Sequence, residues 1–241
     1  MALPKIDSPV YDIQLPLSKK QIRFRPFLVK EQKNLLMAME ADDADTIERN
    51  IRQVLTNCTI TDNIDIDKLP VVDVEYYFLN LRARSVGEIV DGDYVCNNQV
   101  DGQECGGKMK MSFNLLEIQV DMDPNRKDII PINDKISIKL KYPEFSLVTK
   151  LKEKESAVDI AFEIIADSIE YVFDGEQYYY ANETPRDEML QFLESLNQDQ
   201  FKKLEDFFDQ LPTLNKTVDM KCSKCGFDHK IKMQGLASFF G

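Results

Sequence analysis

Histidine is almost missing from this chain: one residue in 241, His229. Imidazole is the side chain whose ordinary pKa lies nearest neutrality, so general acid–base catalysis has little to draw on. The nine glycines include no phosphate-cradling loop and no dinucleotide fingerprint. No apolar run reaches the 18 or so residues of a membrane-spanning helix. The opening MALPKIDSPVYD lacks the apolar core of a secretory signal. Positive charge is in deficit, with 30 Lys and Arg against 42 Asp and Glu and a net charge of −12. Phosphate recognition needs clustered cations, so this balance argues against a nucleic-acid binder. The acidic clusters Asp42-Asp43-Asp45 and Asp62, Asp65, Asp67 fall in turns, where they read as helix caps and solvated loops rather than catalytic pairs.

Hydrophobic residues make up 43% of the chain, enough for a globular protein of one large or two small domains. Five cysteines without a leader suit a reducing compartment and a metal better than disulfides. Four of them occur in two similar stretches, CNNQVDGQECGGKMKM from Cys96 and KCSKCGFDHKIKM from Lys221. Each stretch has a strand-like approach, two cysteines, a glycine directly after the second cysteine, and an alternating exit. Two such knuckles facing each other offer four thiolates to one tetrahedral Zn2+. Glycine after the last ligand suits a left-handed turn. Cys222 and Cys225 have the usual two-residue spacer, while Cys96 and Cys105 are separated by eight residues that Val100-Asp101-Gly102 would fold back. The 116 residues between the halves are no obstacle, because closure entropy grows slowly with loop length. Buried thiols, a disulfide and a redox pair are the competing readings. The redox reading wants a strand-to-helix setting, whereas Gly226 and a strand pattern follow Cys225. His229 could replace Cys96 or Cys105 as a ligand, but its place at a turn exit predicts a surface residue.

Along the chain, Tyr11, Ile13 and Leu15, then Ile22 and Phe24, alternate as two short strands. Arg23 and Arg25 are expected on a solvated face opposite Ile22 and Phe24. Three helices follow: 29–40 with Gln32, Leu35, Leu36 and Met39 inward; 45–58 with Ile47, Ile51, Val54, Leu55 and Cys58 inward and Asp45 as its cap; and one opened by Pro70 with Val71, Val74, Tyr77, Phe78 and Leu81 inward. Gly87 stops the third. Residues 122–134 read as a loop and 136–140 as a strand. A strong helical period spans 156–173, capped by Ser156. Tyr178-Tyr179-Tyr180 reads as a short strand or turn. Thr184 and Pro185 open one further helix, and Asn197 with Gln200 opens another.

The fold class expected is α+β. Split zinc-ribbon-like hairpins occupy 88–122 and 214–235. A hairpin-plus-three-helix lobe precedes them at 1–87, a strand and helical lobe is inserted at 135–212, and an apolar tail ends the chain at 236–241.

The opening MALPKIDSPVYDIQLPLSKKQIRFRPFLVKEQKNLLMAME resembles the start of the baseplate hub proteins of T-even-type contractile-tailed bacteriophages. The family run R-P-F-x-V/L-K-E-x-K-x-L-L-x-A-M-E is matched from Arg25 to Glu40. YYFLNLRARSVG from Tyr76 resembles the next family block, and CSKCGFDHKIKMQGLASFF resembles the closing knuckle and its final Phe-Phe. The resemblance implies a non-enzymatic component of the tail baseplate hub, either a hub subunit or a hub-assembly factor, that works through contacts with other hub proteins. It implies a place in the host cytoplasm during assembly and in the virion tail baseplate. No membrane and no small-molecule substrate are expected. Phe24 and Phe27 near the N-terminal arm, and Phe239 and Phe240 at the tail, are the first candidates to meet partners. Two other classes stay open: a zinc-ribbon nucleic-acid binder, resting on Lys108, Lys110, Lys221, Lys224, Lys230 and Lys232, and a nuclease or transferase with a structural ribbon.

Overall fold

Alternating side chains and a tight turn fold the N-terminal stretch into a hairpin. In the computed structural model, which describes residues 7–40, 44–147 and 156–235, β1 (Tyr11–Gln14) pairs antiparallel with β2 (Gln21–Phe24). The chain divides into two compact units. The first comprises residues 1–64, 72–121 and 213–241; the second comprises 65–71 and 122–212.

In the first unit the hairpin is followed by α1 (Val29–Glu40), α2 (Ala44–Cys58) and most of α3 (Val71–Val86). Ile22, Phe24, Val54, Leu55, Cys58, Tyr77 and Leu81 are buried, and Phe24 meets Tyr77 edge-to-face at 5.4 Å. Of the predicted stripe of α2, Val54, Leu55 and Cys58 are buried core residues and Ile47 and Ile51 are half-buried. Asp45 lies inside the first turn of α2. In α1 the buried positions are Glu31 and Ala38, while Leu36, expected inside, is exposed. The side chain of Met39 lies outside the described residues. α3 is buried on two sides, because Leu79 and Ala83 join Phe113, Leu115, Ile118, Leu214 and Met233 in a separate cluster. The buried Asp73 carboxylate accepts the backbone N–H of Leu17 and of Ser18, each at 2.8 Å, and so ties the hairpin turn to the start of α3.

Arg25 does not share the solvated face expected of it. Arg23 is exposed and pairs with Asp12 at 3.1 Å, but β2 has ended before Arg25. The Arg25 guanidinium grips the buried Glu31 carboxylate through both nitrogens, at 2.8 and 3.0 Å.

Two long hairpins complete this unit. β3 (Ile89–Val95) pairs with β6 (Lys108–Asn114), and β12 (Thr213–Lys221) with β13 (Asp228–Gln234). β7 (Gln119–Asp121) adds to the other edge of β12. The spacer after Cys96 folds back as predicted. β4 (Gln99–Val100) and β5 (Gln103–Glu104) pair across Asp101 and Gly102, whose φ values of 53° and 80° suit the mirror-image turn of a two-residue hairpin.

The second unit has its own core of Ile132, Ile138, Leu140, Ile165, Ile169, Val172, Leu193, Leu204 and Phe207. Its sheet has the order β11-β10-β9-β8, from β8 (Ile129–Pro131), β9 (Ser137–Leu140), β10 (Ile169–Phe173) and β11 (Tyr178–Tyr180). The loop expected over 122–134 thus contains a strand. Pro131 is tolerated there because β8 is an edge. The helix expected to reach residue 173 ends at Ser168, as α4 (Ala157–Ser168). Ile169, Tyr171, Val172 and Phe173 are β-branched or aromatic, and pairing with β9 claims them for the sheet. α5 (Arg186–Glu194) takes Pro185 as its N-cap, while the Thr184 hydroxyl donates to Tyr180 O. α6 (Gln198–Asp209) has the predicted reciprocal cap of Asn197 and Gln200.

Candidate metal centre

Each cysteine turn is held by its own backbone. In the first, Cys96 N–H donates to Gly107 O at 2.8 Å, and Gly106 N–H returns to Cys96 O at 2.9 Å. In the second, Cys222 N–H donates to Phe227 O at 2.9 Å, and Gly226 N–H to Cys222 O at 2.8 Å. Gly106 and Gly226, directly after the second cysteine of each pair, have φ of 63° and 74°. That left-handed conformation is costly for any residue with a Cβ. Gly107 is required for a different reason: a Cβ there would lie 2.8 Å from Cys222 Sγ. The first knuckle is bare of side chain where the second approaches it.

The four sulfurs of Cys96, Cys105, Cys222 and Cys225 all lie within 4.8 Å of one another. Two of the pairs cross between knuckles, Cys96 to Cys225 at 3.7 Å and Cys105 to Cys222 at 3.8 Å. Sulfurs held about 2.3 Å from a central zinc ion in a tetrahedron would be about 3.8 Å apart. The spacing therefore fits one tetrahedral ion and is far too long for a disulfide, and all four thiols are free. The setting between β12 and β13 also lacks the helix that a redox pair would follow.

Donors converge on these sulfurs. The backbone N–H two residues beyond each of Cys96, Cys105 and Cys225 (Asn98, Gly107 and Phe227) points at the sulfur. Asn98 Nδ2 reaches Cys225 Sγ at 3.7 Å, and Lys224 Nζ donates to Cys105 O. Burial pushes the Cys96 thiol up to about 12 and raises that of Cys105. The Phe227 N–H pulls Cys225 down to about 6. Cys58, in the helical core, is also pushed up to about 12 by burial. At pH 7 in chain stripped of metal, iodoacetamide is expected to modify Cys225, which the loosened hairpins leave open, before Cys58, which the helical core protects until it unfolds in turn. Peptide mapping over time checks the order, and equal labelling of the two would refute these environments.

His229 is not the surface residue expected at a turn exit. It is 6% exposed, and its Nε2 sits 3.1 Å from Cys96 Sγ. The signal was present in the sequence: His229 alternates with Ile231 and Met233 on the inward side of β13. Asn98 was missed because its side chain acts across the two knuckles, which local spacing does not show.

The residues expected to meet partners fall out differently. Phe24 is fully buried between Tyr11 and Tyr77, so its ring anchors the hairpin and is not offered at the surface. Phe27 is half-buried, and its N–H donates to Ser85 Oγ at 3.0 Å. Phe239 and Phe240 lie outside the described residues. No helix among the described residues is long and apolar enough to cross a membrane.

A family model described as T4 bacteriophage base plate protein matches residues 8–241. The chain is also 22% identical over 231 residues to the baseplate hub assembly protein gp26 of Enterobacteria phage T4, covering 95% of this chain and 97% of that protein. No solved structure matches it.

Proposed function

This chain belongs to the T4 bacteriophage base plate protein family, and from that premise we propose that it is a non-enzymatic component of the tail baseplate hub, acting in its assembly through contacts with other hub proteins. The observation that carries this reading is the span of the match, which runs through the hairpin, the helices and both knuckles. A four-thiolate zinc centre fits the same role. Four sulfur ligands leave a tetrahedral ion no open position for substrate, so the metal would supply folding energy and no chemistry. Cys96, Cys105, Cys222 and Cys225 would hold it.

The surface supports protein contacts more than nucleic acid. Three of the six knuckle lysines are opposed by carboxylates: Lys110 faces Asp93, Lys230 faces Asp219, and Lys221 faces Asp228, while Lys108 faces Val95 and Lys232 faces Thr217. Cross-strand pairs of this kind interrupt the basic stripe that would track a phosphate backbone. Exposed apolar side chains instead collect on α1, where Val29 is 82% exposed beside Leu28, Leu36 and Met37. With Phe24 withdrawn into the core, this face and the half-buried Phe27 beside it are the first place a hub partner would dock.

Affinity purification of the tagged chain from infected cells tests the reading. Other tail hub proteins are expected in the eluate in fixed proportion. A chain recovered alone, or with nucleic acid that salt removes, would count against it.

A further inference from the structure

A buried imidazole needs a reason. Its position on β13 continues the inward row of Ile231 and Met233, where an apolar side chain would serve the packing. Burying a polar ring without a hydrogen bond is costly, so the partner it finds is informative. That partner is the sulfur of Cys96, 3.1 Å from Nε2, on the opposite knuckle. The ring is fixed from two sides: Tyr94 of β3 meets it at 5.5 Å and 64°, and Phe227 at 4.8 Å and 70°. A metal-bound thiolate can only accept, so the nitrogen that faces it must be the one carrying the proton.

We propose that His229 is a positioning residue of the metal centre, donating its Nε2–H to the sulfur of Cys96. The proposal rests on the four-thiolate reading above. Four thiolates around a divalent ion leave two formal negative charges in a buried place, and a donor aimed at one sulfur relieves part of that charge. The consequence falls on Cys96 in particular. Its lone pairs are engaged by the Asn98 N–H and by the imidazole, so it becomes less nucleophilic and holds its place on the metal longer. Because His229 belongs to the second hairpin and Cys96 to the first, the bond also joins the two halves independently of the ion.

The test uses the full chain loaded with zinc or with cobalt as a spectroscopic stand-in. In the zinc-loaded wild type, nitrogen-15 NMR of the ring should place the proton on Nε2. His229→Phe should still take up one cobalt ion per chain with a four-thiolate spectrum. Its thiolate-to-cobalt charge-transfer band should move, Cys96 should alkylate about tenfold faster, and metal affinity should fall about 10–100-fold, the usual effect of losing a hydrogen bond to a ligand. His229→Asn, which keeps an N–H donor, should recover part of each change. An unprotonated Nε2 in the wild type, or a His229→Phe protein with the wild-type band and alkylation rate, would overturn the proposal while leaving the metal reading intact. If His229→Phe does not fold, the ring proton of the wild type decides alone. A wild-type chain that takes up no stoichiometric metal overturns the four-thiolate reading itself.

Discussion

Removing the proposed zinc ion, or replacing Cys222 with alanine, should unfold the paired hairpins and leave the second unit standing. Structural zinc contributes on the order of 10–16 kcal/mol in small zinc-binding peptides, against a net stability of about 5–15 kcal/mol for a whole domain. The cysteine end of the hairpins has little to replace it. Among the described residues, the apolar side chains clustered around the four thiols are Met109, Tyr94 and Met220, while the larger cluster with Phe113, Leu214 and Met233 sits further along the strands. Cys222 is the informative position because it is buried and lies 3.8 Å from Cys105 on the other knuckle. Hydrogen exchange is the appropriate measurement. Amides of β3, β6, β12 and β13 should lose protection on chelation, while those of β9, β10 and α6, which pack in a separate core, should keep it. Acid should act in the same direction as the chelator. The metal-bound form carries fewer protons than the thiol form, so protons displace the ion as pH falls, and stability drops with it. Protection that is identical with and without metal would remove the clasp from the account of this fold.

Much of this centre was legible because its parts are local. A two-residue spacer, a following glycine and an alternating exit are features of a few residues each, and they survive whatever the rest of the chain does. The Asp101-Gly102 turn is legible for the same reason. What sequence alone hid is what another element decides. Residues 169–173 continue the helical period of α4 well enough, but β9 offers them a sheet, and pairing overrides period. Phe24 carries the same apolar side chain whether it faces a partner or the interior, and only the arrival of Tyr77 from α3 shows which. His229 shows the cost of weighing a residue by type instead of by register. A lone histidine after a turn suggests the surface, but counting by twos from Met233 places it inside.

Arg25→Ala should destabilise the first unit by about 3 kcal/mol or more, the lower end of the cost of stranding one member of a buried pair. The Arg25 side chain is 22% exposed and that of Glu31 only 4%, so it is the carboxylate that would be stranded. This pair also gives physical content to the run from Arg25 to Glu40 that carries the family resemblance. Arg25 follows β2, Glu31 lies in the first turn of α1, and the guanidinium reaches on to Pro26 O and to Asn57 O at the end of α2. Glu31 in turn accepts the N–H of Leu28. One ion pair therefore fixes where a strand stops, where one helix begins and where another ends. Its electrostatic part has a definite pH signature. The hydrogen bonds from Arg25 hold the Glu31 carboxyl below its ordinary range, so in the wild type this contribution is present above the unfolded value of about 4.3 and is lost as pH falls through the lower folded value. In Arg25→Ala that depression is lost, leaving burial to raise the folded value against the Leu28 N–H and Lys30, which lower it. The deficit relative to wild type should then be largest at neutral pH and should shrink toward pH 3, where Glu31 is becoming protonated. Replacing both residues, as Arg25→Met with Glu31→Leu, removes the stranded charge and should recover most of the loss. Denaturant melts of the single and double variants at pH 7 and pH 3 measure all of this. A single variant whose deficit does not change with pH would mean that packing by the arginine stem, and not its charge, holds the junction together.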